Sequence, residues 1–494
     1  MRPCCHFTRR QLLQWGALVA ATPVVAQLDD MPAAYGLTKA VAKNPALPVN
    51  LELVTLTETS AVITWFTGDP TRPDRFGRLA PMPADTEVRL AVGQGRPKTI
   101  HHDTSTTPYH YVEIRGLEPG ETYTVVAKSN GIPALPSVAT ATNPFGTSAL
   151  NVPFTPLLFT TPQPPPGKYL FSIALCNDLH LGEKTAGLVT TQAGIGIPPG
   201  IEQLPGRRPY AEITAAALGS EARQRGAHVL LAAGDVSAEA AQTDLHNAKH
   251  YLDRFGAYKS DYFVARGNHD RPHAGDKTKG CSPLPSDKTL RDCFHDEFAP
   301  DAKTWFSAEK FGLRIIGLDT YDTTGAGKDS KMSDAQMDFV RRALRKNRDQ
   351  PTLVFGHHPV TLDSGSSSVP PLSNGMAWPQ ARELTALYKQ APGVFLHHSG
   401  HTHRNKRSVS LAAPRVMFQE VSATKEYPGG FMVVRVHTGG YAMNFYKLRD
   451  YAAQEWVERS RPEYLGAAPI YTLGSAADRN VVVKRDLSGL KRAP

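Results

Sequence analysis

Five short polar segments, each placed where an apolar run ends, constrain the fold of this chain more than any other feature. The segments are Asp178-Leu-His180, Gly234-Asp235, Gly267-Asn-His-Asp270, Gly356-His-His358 and Gly400-His-Thr-His403. The apolar runs before them have the length of buried strands. Because ligands bind at the carboxyl ends of strands in open α/β sheets, this pattern predicts an α/β fold with one shared site at a sheet edge.

Strands and helices alternate over the second part of the chain. Strands are predicted at residues 169–177, 227–233, 262–265, 313–318, 351–355 and 393–397. Helices are predicted at residues 210–225, 244–255, 333–346 and 380–390. The third helix begins at Ser333 with Gln336 three residues later, which is the spacing of a capping box. This alternation requires a sheet that helices cover on its faces.

The side chains of the five segments are of the types that bind metal ions in hydrolytic sites. Asp, His and Asn supply carboxylate, imidazole and amide ligands, and a carboxylate can bridge two cations. Alternate residues of Asp178-Leu-His180 and His401-Thr-His403 are expected on one side of an extended segment, so that both can reach one metal. A glycine precedes four of the segments, where the backbone is expected to turn sharply. One such segment alone is usually structural, but five together favour a two-metal site.

Taken in order, the five segments resemble the motifs of the calcineurin-like metallophosphoesterase superfamily over residues 168–446. The resemblance implies an α/β (α+β) fold, a four-layer αββα sandwich with two sheets between helices. It also implies a binuclear centre of iron, manganese or zinc at the strand ends. The ligands implied for one metal are Asp178, His180, Asp235 and His403. The ligands implied for the second metal are Asn268, His357, His401 and again Asp235, which bridges the two ions.

The same resemblance implies chemical roles. His269 is expected beside the metals, where it stabilises the transferring phosphoryl group or protonates the leaving oxygen, and Asp235 and Asn268 complete the catalytic set. His357 is the expected ligand because its spacing to the following proline matches the family, which leaves His358 beside the ligands or facing the substrate. The implied reaction is hydrolysis of a small-molecule phosphate ester by a metal-bridging hydroxide. Phosphomonoesters and phosphodiesters both remain open as substrates.

Residues 45–150 have the pattern of a small β-sandwich. Short runs rich in β-branched and aromatic residues include one with Trp65, and a Leu-Glu-Pro-Gly-Glu-Thr-Tyr run ending at Tyr123 has the spacing of a tyrosine corner. This region resembles a fibronectin type III domain, and the two-domain combination is similar to purple acid phosphatases. That family has a tyrosine where this chain has Ala238, so a colourless or weakly coloured centre is expected. Three histidines of the sandwich are interpreted as surface imidazoles: His101, His102 and His110.

The remaining segments are interpreted as a signal peptide, a linker and a tail. Residues 1–26 carry a twin-arginine pattern, a moderately apolar stretch and a small-residue cleavage site. They predict export by the twin-arginine machinery, and therefore a periplasmic or secreted protein, and the apolar stretch is too short for a transmembrane segment. Residues 151–167 are predicted to be a Pro-rich linker, and residues 447–494 a C-terminal tail.

Net charge and cysteine positions indicate which partners and which disulfide bonds to expect. The 494 residues carry a net charge of +9, yet no basic run is interleaved with aromatic residues, so no nucleic-acid binding is expected. Cys176 lies in an apolar run and is interpreted as a core residue. Cys281 and Cys293 flank one loop and can pair in an oxidising compartment.

Two other functions compete with phosphoester hydrolysis. A cell-surface binding protein would use the fibronectin-like sandwich and keep the metal domain as a catalytically silent scaffold, but a scaffold has no need of a complete ligand set. A hydrolase of carboxylic or sulfate esters is the second alternative. Its serine-hydrolase version is excluded because no G-x-S-x-G segment occurs. The sequence leaves the natural substrate, the native metal pair and the oligomeric state open.

Overall fold

The structure, a computed structural model, describes residues 46–73, 78–93, 95–136, 154–187, 200–271, 281, 292–300, 302–322, 330–368, 375–463 and 471–494. The predicted export segment, residues 1–26, lies outside these ranges. No helix within them has both the length and the apolar character that crossing a membrane requires.

An all-β unit comes first in the chain. Its strands are β1 Leu47–Leu56, β2 Ser60–Pro73, β3 Leu79–Pro81, β4 Ala84–Val92, β5 Lys98–Thr107, β6 Tyr109–Arg115, β7 Thr122–Ser129, β8 Ile132–Pro133 and β9 Leu157–Thr160. Counting only described residues, they form a four-stranded sheet, β1-β2-β3 with β6 on β2, and a five-stranded sheet, β5-β4-β7-β8 with β9 on β7. Buried and half-buried residues alternate along β7, because successive side chains of a strand point to opposite faces.

The core of this sandwich contains the predicted aromatic residues and one histidine that was assigned to the surface. Trp65 is buried, and the hydroxyl of Tyr123 accepts a hydrogen bond from the Glu118 backbone N–H at 2.9 Å, which is the tyrosine-corner contact. The interpretation of His110 as a surface residue was wrong. His110 is directly opposite Trp65 in the β2–β6 pair, and the two rings stack with centroids 4.5 Å apart. Burial lowers the pKa of His110 to about 3, so the buried ring stays neutral.

The second part of the chain contains two larger sheets. Its strands are β10 Tyr169–Cys176, β11 Thr185–Ala186, β12 Ile201–Glu202, β13 Val229–Ala233, β14 Tyr262–Ala265, β15 Phe306–Lys310, β16 Leu313–Gly317, β17 Thr352–Phe355, β18 Val394–Ser399, β19 Lys406–Ser408, β20 Met417–Glu420, β21 Gly430–His437, β22 Gly440–Lys447 and β23 Asn480–Lys484. As far as the chain is described, the first sheet has six strands in the order β14-β13-β10-β21-β22-β23. The second has the order β15-β16-β17-β18-β20-β19. Strands β10, β13 and β14 are parallel, as are β16, β17, β18 and β20.

Helices cover the outer faces of both sheets. They are α1 Tyr210–Gln224, α2 Gln242–Leu252, α3 Cys293–Phe298, α4 Asp334–Lys346, α5 Leu362–Ser367, α6 Trp378–Gln390, α7 Tyr451–Ser460 and α8 Ala476–Arg479. Side-chain alternation in β16 shows the layering: Ile315 packs with the first sheet, and Ile316 packs with α4 and α6. Helices α1, α2 and α7 share the core of the first sheet. The predicted α/β fold is therefore confirmed, and the layers run helix, sheet, sheet, helix.

The structure changes two segment assignments made from the sequence. Part of the predicted linker is strand β9, which pairs with β7 and so belongs to the sandwich. Residues 447–494 are not a tail, because β23 pairs with β22 at the edge of the first sheet and α7 packs on α1. Trp456 of α7 is fully buried and stacks on Tyr210 with ring centroids 3.9 Å apart. The buried apolar residues of this stretch, among them Trp456, Leu487 and Leu490, are scattered among charged residues, so the sequence pattern concealed the packing.

Several local predictions agree with the structure. Cys281 and Cys293 form a disulfide bond, and Cys176 is a buried free cysteine. Helix α4 begins after Ser333, whose hydroxyl accepts a hydrogen bond from the Gln336 backbone N–H. The Gln336 side chain does not complete the capping box, since it bonds the backbone of a buried aspartate at the end of β16.

Candidate metal centre

Strands of both sheets end at one edge of the domain, and this arrangement brings the five motif segments together. In the first sheet, β10, β13 and β14 end shortly before Asp178, Asp235 and Asn268. In the second sheet, β17 and β18 end shortly before His357 and His401. Because the two sheets pack face to face, side chains from both reach the same small volume.

Five of the predicted ligands have a backbone conformation that residues with side chains rarely adopt. Ten non-glycine residues of the described chain have a positive φ, and half of them are Asp178, His180, Asp235, His401 and His403. Their φ angles lie between 47° and 67°, so the prediction of extended Asp-x-His and His-x-His segments was wrong. Left-handed backbone turns, rather than the strand pleat, direct these side chains. Such conformations cost about 1–3 kcal/mol each and cluster at functional sites, where the surrounding structure maintains them.

The glycines that precede the motif residues permit close backbone approach. A Cβ atom on Gly267 would lie 2.1 Å from Asp235 Oδ1, and one on Gly400 would lie 2.7 Å from Asp178 Oδ2. Of the four glycines, Gly234 alone has a positive φ, at 85°. The expected sharp turn therefore applies to Gly234, whereas Gly267 and Gly400 leave room for the carboxylates, and Gly356 packs against Leu318 and Thr320.

Asp178 lies at the centre of one group of side chains. The residue is fully buried, and its Oδ1 is 3.2 Å from His403 Nε2 and 3.6 Å from His180 Nε2. Its Oδ2 accepts hydrogen bonds from the His401 backbone N–H at 3.0 Å and from Asn177 Nδ2 at 2.5 Å. These two bonds fix the carboxylate, so Oδ1 faces the imidazoles in one orientation.

Asp235 joins this group to a second one. Its Oδ1 accepts a hydrogen bond from the His269 backbone N–H at 2.8 Å. Its Oδ2 is 2.9 Å from His357 Nε2 and 3.6 Å from His180 Nε2, and His357 Nε2 is 3.2 Å from His401 Nδ1. One carboxylate oxygen therefore contacts imidazoles of both groups, which is the position that a bridging ligand requires.

Hydrogen bonds determine which nitrogen of three imidazoles faces the centre. His357 Nδ1 lies 2.8 Å from the Ala233 carbonyl oxygen, and His269 Nδ1 lies 2.6 Å from the Ala238 carbonyl oxygen. His403 Nδ1 lies 2.6 Å from Glu426 Oε1. Because carbonyl and carboxylate oxygens only accept, each Nδ1 carries a proton, and Nε2 has the lone pair whenever the imidazole is neutral. This arrangement is the usual one for histidines that ligate metals through Nε2.

Buried polar atoms around the centre lack the partners that burial normally demands. Among the described residues, His180 Nε2 and Asn268 Oδ1 have no hydrogen-bond partner. Asp178 Oδ1 makes no hydrogen bond of acceptable geometry, although three imidazole nitrogens lie 3.2–4.0 Å from it. Unsatisfied buried groups cost about 1–3 kcal/mol each, and bound cations would satisfy these three atoms. The donor set of carboxylate, imidazole and amide therefore fits divalent metal ions.

Metal affinity is expected to rise steeply with pH. Burial by itself lowers the pKa of the two histidines, but the neighbouring carboxylates outweigh it and raise the pKa of His357 to about 8 and of His403 to about 10. Both imidazoles are therefore protonated at pH 7 without metal, and metal binding at the two groups must displace both protons. Each displaced proton strengthens apparent binding about tenfold per pH unit below the pKa of its imidazole. Calorimetric titration at pH 6, 7 and 8 measures this slope, and equal affinities at the three values would contradict it.

Two further motif residues, His358 and Asp270, lie beside the predicted ligands. His358 Nδ1 lies 2.8 Å from Thr320 Oγ1, and its ring centroid is 4.3 Å from that of His401, which agrees with its expected place beside the ligands. Asp270 accepts hydrogen bonds from the backbone N–H groups of Ser237 and Gly267, at 2.8 and 2.9 Å. It thereby ties together the two loops that carry Asp235 and Asn268.

Glu426 is the residue of the centre that the sequence did not reveal. It is buried, it contacts His403 Nδ1, and it belongs to none of the five motif segments. It follows His403 by 23 positions in a stretch that contains no helix or strand, so neither periodicity nor spacing identifies it.

The part of the chain that carries this centre is similar to known phosphoesterases. Residues 171–405, which contain all five motif segments, match the family model of the calcineurin-like phosphoesterases. Over 234 residues the chain is 27% identical to a protein named Probable cyclic nucleotide phosphodiesterase from Synechococcus sp., covering 47% of this chain and 73% of that protein.

Solved structures with a similar arrangement include two phosphatases. A purple acid phosphatase from yellow lupin (Lupinus luteus) seeds is 14% identical, with a TM-score of 0.41, and the match covers 90% of this chain and 76% of that one. A dimetal phosphatase from Danio rerio is 12% identical, with a TM-score of 0.40, and the match covers 56% of this chain and 96% of that one.

Proposed function

We propose that this protein, a metal-dependent phosphoester hydrolase whose residues 171–405 match the calcineurin-like phosphoesterases, works with two metal ions. The observation that carries the proposal is the buried carboxylate of Asp235, which contacts imidazoles of both groups. The residues that would hold one ion are Asp178, His180, His403 and Asp235. Those that would hold the other are Asn268, His357, His401 and the shared Asp235. Iron, manganese and zinc all suit this donor set.

The residues around the centre provide the remaining parts of a hydrolytic mechanism. When bound, the two ions supply an activated water as nucleophile and stabilise charge on the phosphoryl oxygens. Asp178 and Asp235 are buried, whereas His269, His401 and His403 are partly exposed, so the substrate approaches from the side of these histidines. His269 Nδ1 donates to the Ala238 carbonyl, which leaves Nε2 to carry a proton to the leaving oxygen or to donate to the phosphoryl group.

Phosphodiesters are the first candidate substrates, and phosphomonoesters the second. His180 in the first motif supports diesters, since this position resembles cyclic-nucleotide and glycerophosphodiester phosphodiesterases. The Synechococcus relative carries the name of a cyclic nucleotide phosphodiesterase, which supports the same choice. The sandwich followed by a phosphoesterase domain resembles purple acid phosphatases and supports monoesters. With Ala238 in place of their tyrosine, we expect a colourless or weakly coloured protein.

Hydrolysis of paired nitrophenyl phosphate mono- and diesters tests the proposal. The chain from residue 27 is assayed after chelation and again with Mn²⁺, Fe²⁺ or Zn²⁺ restored. Turnover is expected only with metal, and it is expected to be faster with the diester. Loss of one exposed histidine of the sandwich, His101→Ala, is the control and is expected to leave both rates unchanged.

The outcomes separate the competing functions. Turnover that is independent of metal would contradict the proposed mechanism. Two bound ions without turnover of either ester would favour the binding-protein alternative. No bound ion would contradict the metal centre itself.

We also propose that the protein acts outside the cytoplasm. The support is the twin-arginine pattern in residues 1–26 together with the cleavage-site residues at its end. Cell fractionation tests this with Arg9→Lys and Arg10→Lys combined. The double variant is expected to accumulate in the cytoplasm while the unaltered chain is exported, and equal distribution of the two would contradict the proposal.

A further inference from the structure

The N-terminal sandwich and the phosphoesterase domain share a buried ionic interface. Glu52 of β1 is 4% exposed. Its Oε2 accepts a hydrogen bond from Lys447 Nζ at 2.5 Å, and its Oε1 pairs with the guanidinium of Arg461. An unpaired charge would be costly at this depth, so the carboxylate and the two cations hold one another in place.

Tyr427 connects this interface to the metal centre. Its hydroxyl donates to Glu52 Oε1 at 2.6 Å, and the tyrosine is 1% exposed. The preceding residue is Glu426, whose Oε1 accepts the hydrogen bond from His403 Nδ1. His403 Nε2 in turn lies 3.2 Å from Asp178 Oδ1. A continuous series of contacts therefore runs from β1 of the sandwich to a predicted metal ligand.

The segment that carries Glu426 has no regular secondary structure, and several buried side-chain contacts help to hold it. Residues 421–429 lie in no helix or strand. Lys425 Nζ is 2.5 Å from Glu183 Oε2 and 3.4 Å from Glu426 Oε2, and the Lys425 carbonyl accepts a hydrogen bond from Trp456 Nε1 at 2.5 Å. Backbone hydrogen bonds also hold the segment, among them those from the N–H groups of Thr424 and Lys425 to the carbonyls of Asn177 and Asp178. The side-chain contacts add to these bonds, and those of Glu426 and Tyr427 set the position of the Glu426 carboxylate.

We propose that the N-terminal sandwich is a structural part of the metal centre. Glu52 anchors Tyr427, which places Glu426, and Glu426 holds His403 in the ring orientation and tautomer that bind metal. These three are positioning residues, because none of them touches the reacting atoms. The inference rests on the proposed two-metal centre. It assigns the sandwich a role toward the catalytic domain, independent of any partner outside the chain.

Metal-binding measurements on three variants test this inference. Glu426→Gln is expected to weaken one of the two ions about 10–100-fold, the range seen when a group that orients a ligating histidine is removed. Tyr427→Phe and Glu52→Gln are expected to weaken the same ion about tenfold. Dissociation constants come from chelator competition with Zn²⁺, and the absorption spectrum of the Co²⁺ form reports on the coordination of the affected ion. Tyr427→Phe removes one hydroxyl and leaves Glu52 paired with its two cations, so it remains informative if Glu52→Gln fails to fold.

Glu58→Gln is the matched control. Glu58 forms another ion pair between the sandwich and the phosphoesterase domain, with Arg435, through two contacts of 2.6 Å. These contacts do not involve the segment 421–429. This variant is expected to bind both ions as the unaltered chain does. Equal weakening in the control, or normal affinity for both ions in Glu426→Gln and Tyr427→Phe, would overturn the inference and leave the two-metal centre intact. Fewer than two ions on the unaltered chain would overturn both.

Discussion

Replacing Asp235 with Asn is expected to lower kcat/KM for phosphoester hydrolysis about a thousandfold or more and to loosen both metal ions. The substitution conserves size, and an amide oxygen can still accept the hydrogen bond from the His269 backbone N–H. It removes the negative charge next to His180 and His357, one imidazole from each group. Because Asp235 is 1% exposed, water cannot compensate for the lost negative charge as a ligand of the cations. Elemental analysis of dialysed protein measures the metal content, and steady-state kinetics measures the loss of rate.

A second buried aspartate provides the control for that experiment. Asp319 is fully buried, but it pairs with Arg266 and Thr304 and makes no contact with the metal centre in the described structure. Asp319→Asn is expected to lower stability while the metal content stays at the level of the unaltered chain. Full metal content and normal turnover in Asp235→Asn would refute the bridging role.

Replacing His269 with Asn is expected to lower kcat about 100–10,000-fold while both metal ions remain bound. The rate is expected to fall without loss of metal because His269 is not one of the proposed ligands, so each ion keeps all of its ligands. The size of the effect should depend on the leaving group. If His269 protonates the leaving oxygen, alkyl phosphate esters lose more rate than nitrophenyl esters, whose leaving groups need no proton. If it stabilises the phosphoryl oxygens, both classes lose the same factor.

The His101→Ala variant controls for the loss of a histidine elsewhere in the chain, since His101 is exposed on β5. It is expected to keep full rate with both ester classes. Loss of a metal ion from His269→Asn would show that His269 is a ligand, which contradicts its assigned role.

The strands, helices and turns could be predicted from the sequence because residues that are neighbours along the chain determine them. Short apolar runs form strands wherever the chain can bury them, and the polar residues that follow each run then lie at a strand end. The order of the motifs, the helices between them and the tyrosine corner at Tyr123 all depend on neighbouring residues. The structure therefore brings the predicted site residues to one edge, and their roles as ligands remain predictions.

Contacts between distant parts of the chain were missed because neighbouring residues do not determine them. His110 lies in the core because β6 pairs with β2 in a register that places it opposite Trp65. Residues 447–494 pack on the domain through Trp456 and β23, whose partners lie far away in sequence. A single sequence contains no signal for such pairings, because each of these residues has the same local pattern as an exposed one.

The sequence by itself determined which residue types reach the edge of the sheets, and therefore the class of chemistry. The tertiary structure alone decided how these side chains are oriented. The left-handed backbone at five predicted ligands and the close approach of Gly267 to Asp235 arise where loops from two sheets meet. It also decided what supports them, because Glu426 and Glu52 act through contacts that only the packed chain makes. The physical reason is that strand formation depends on neighbours along the chain, whereas orientation within a buried site depends on neighbours in space.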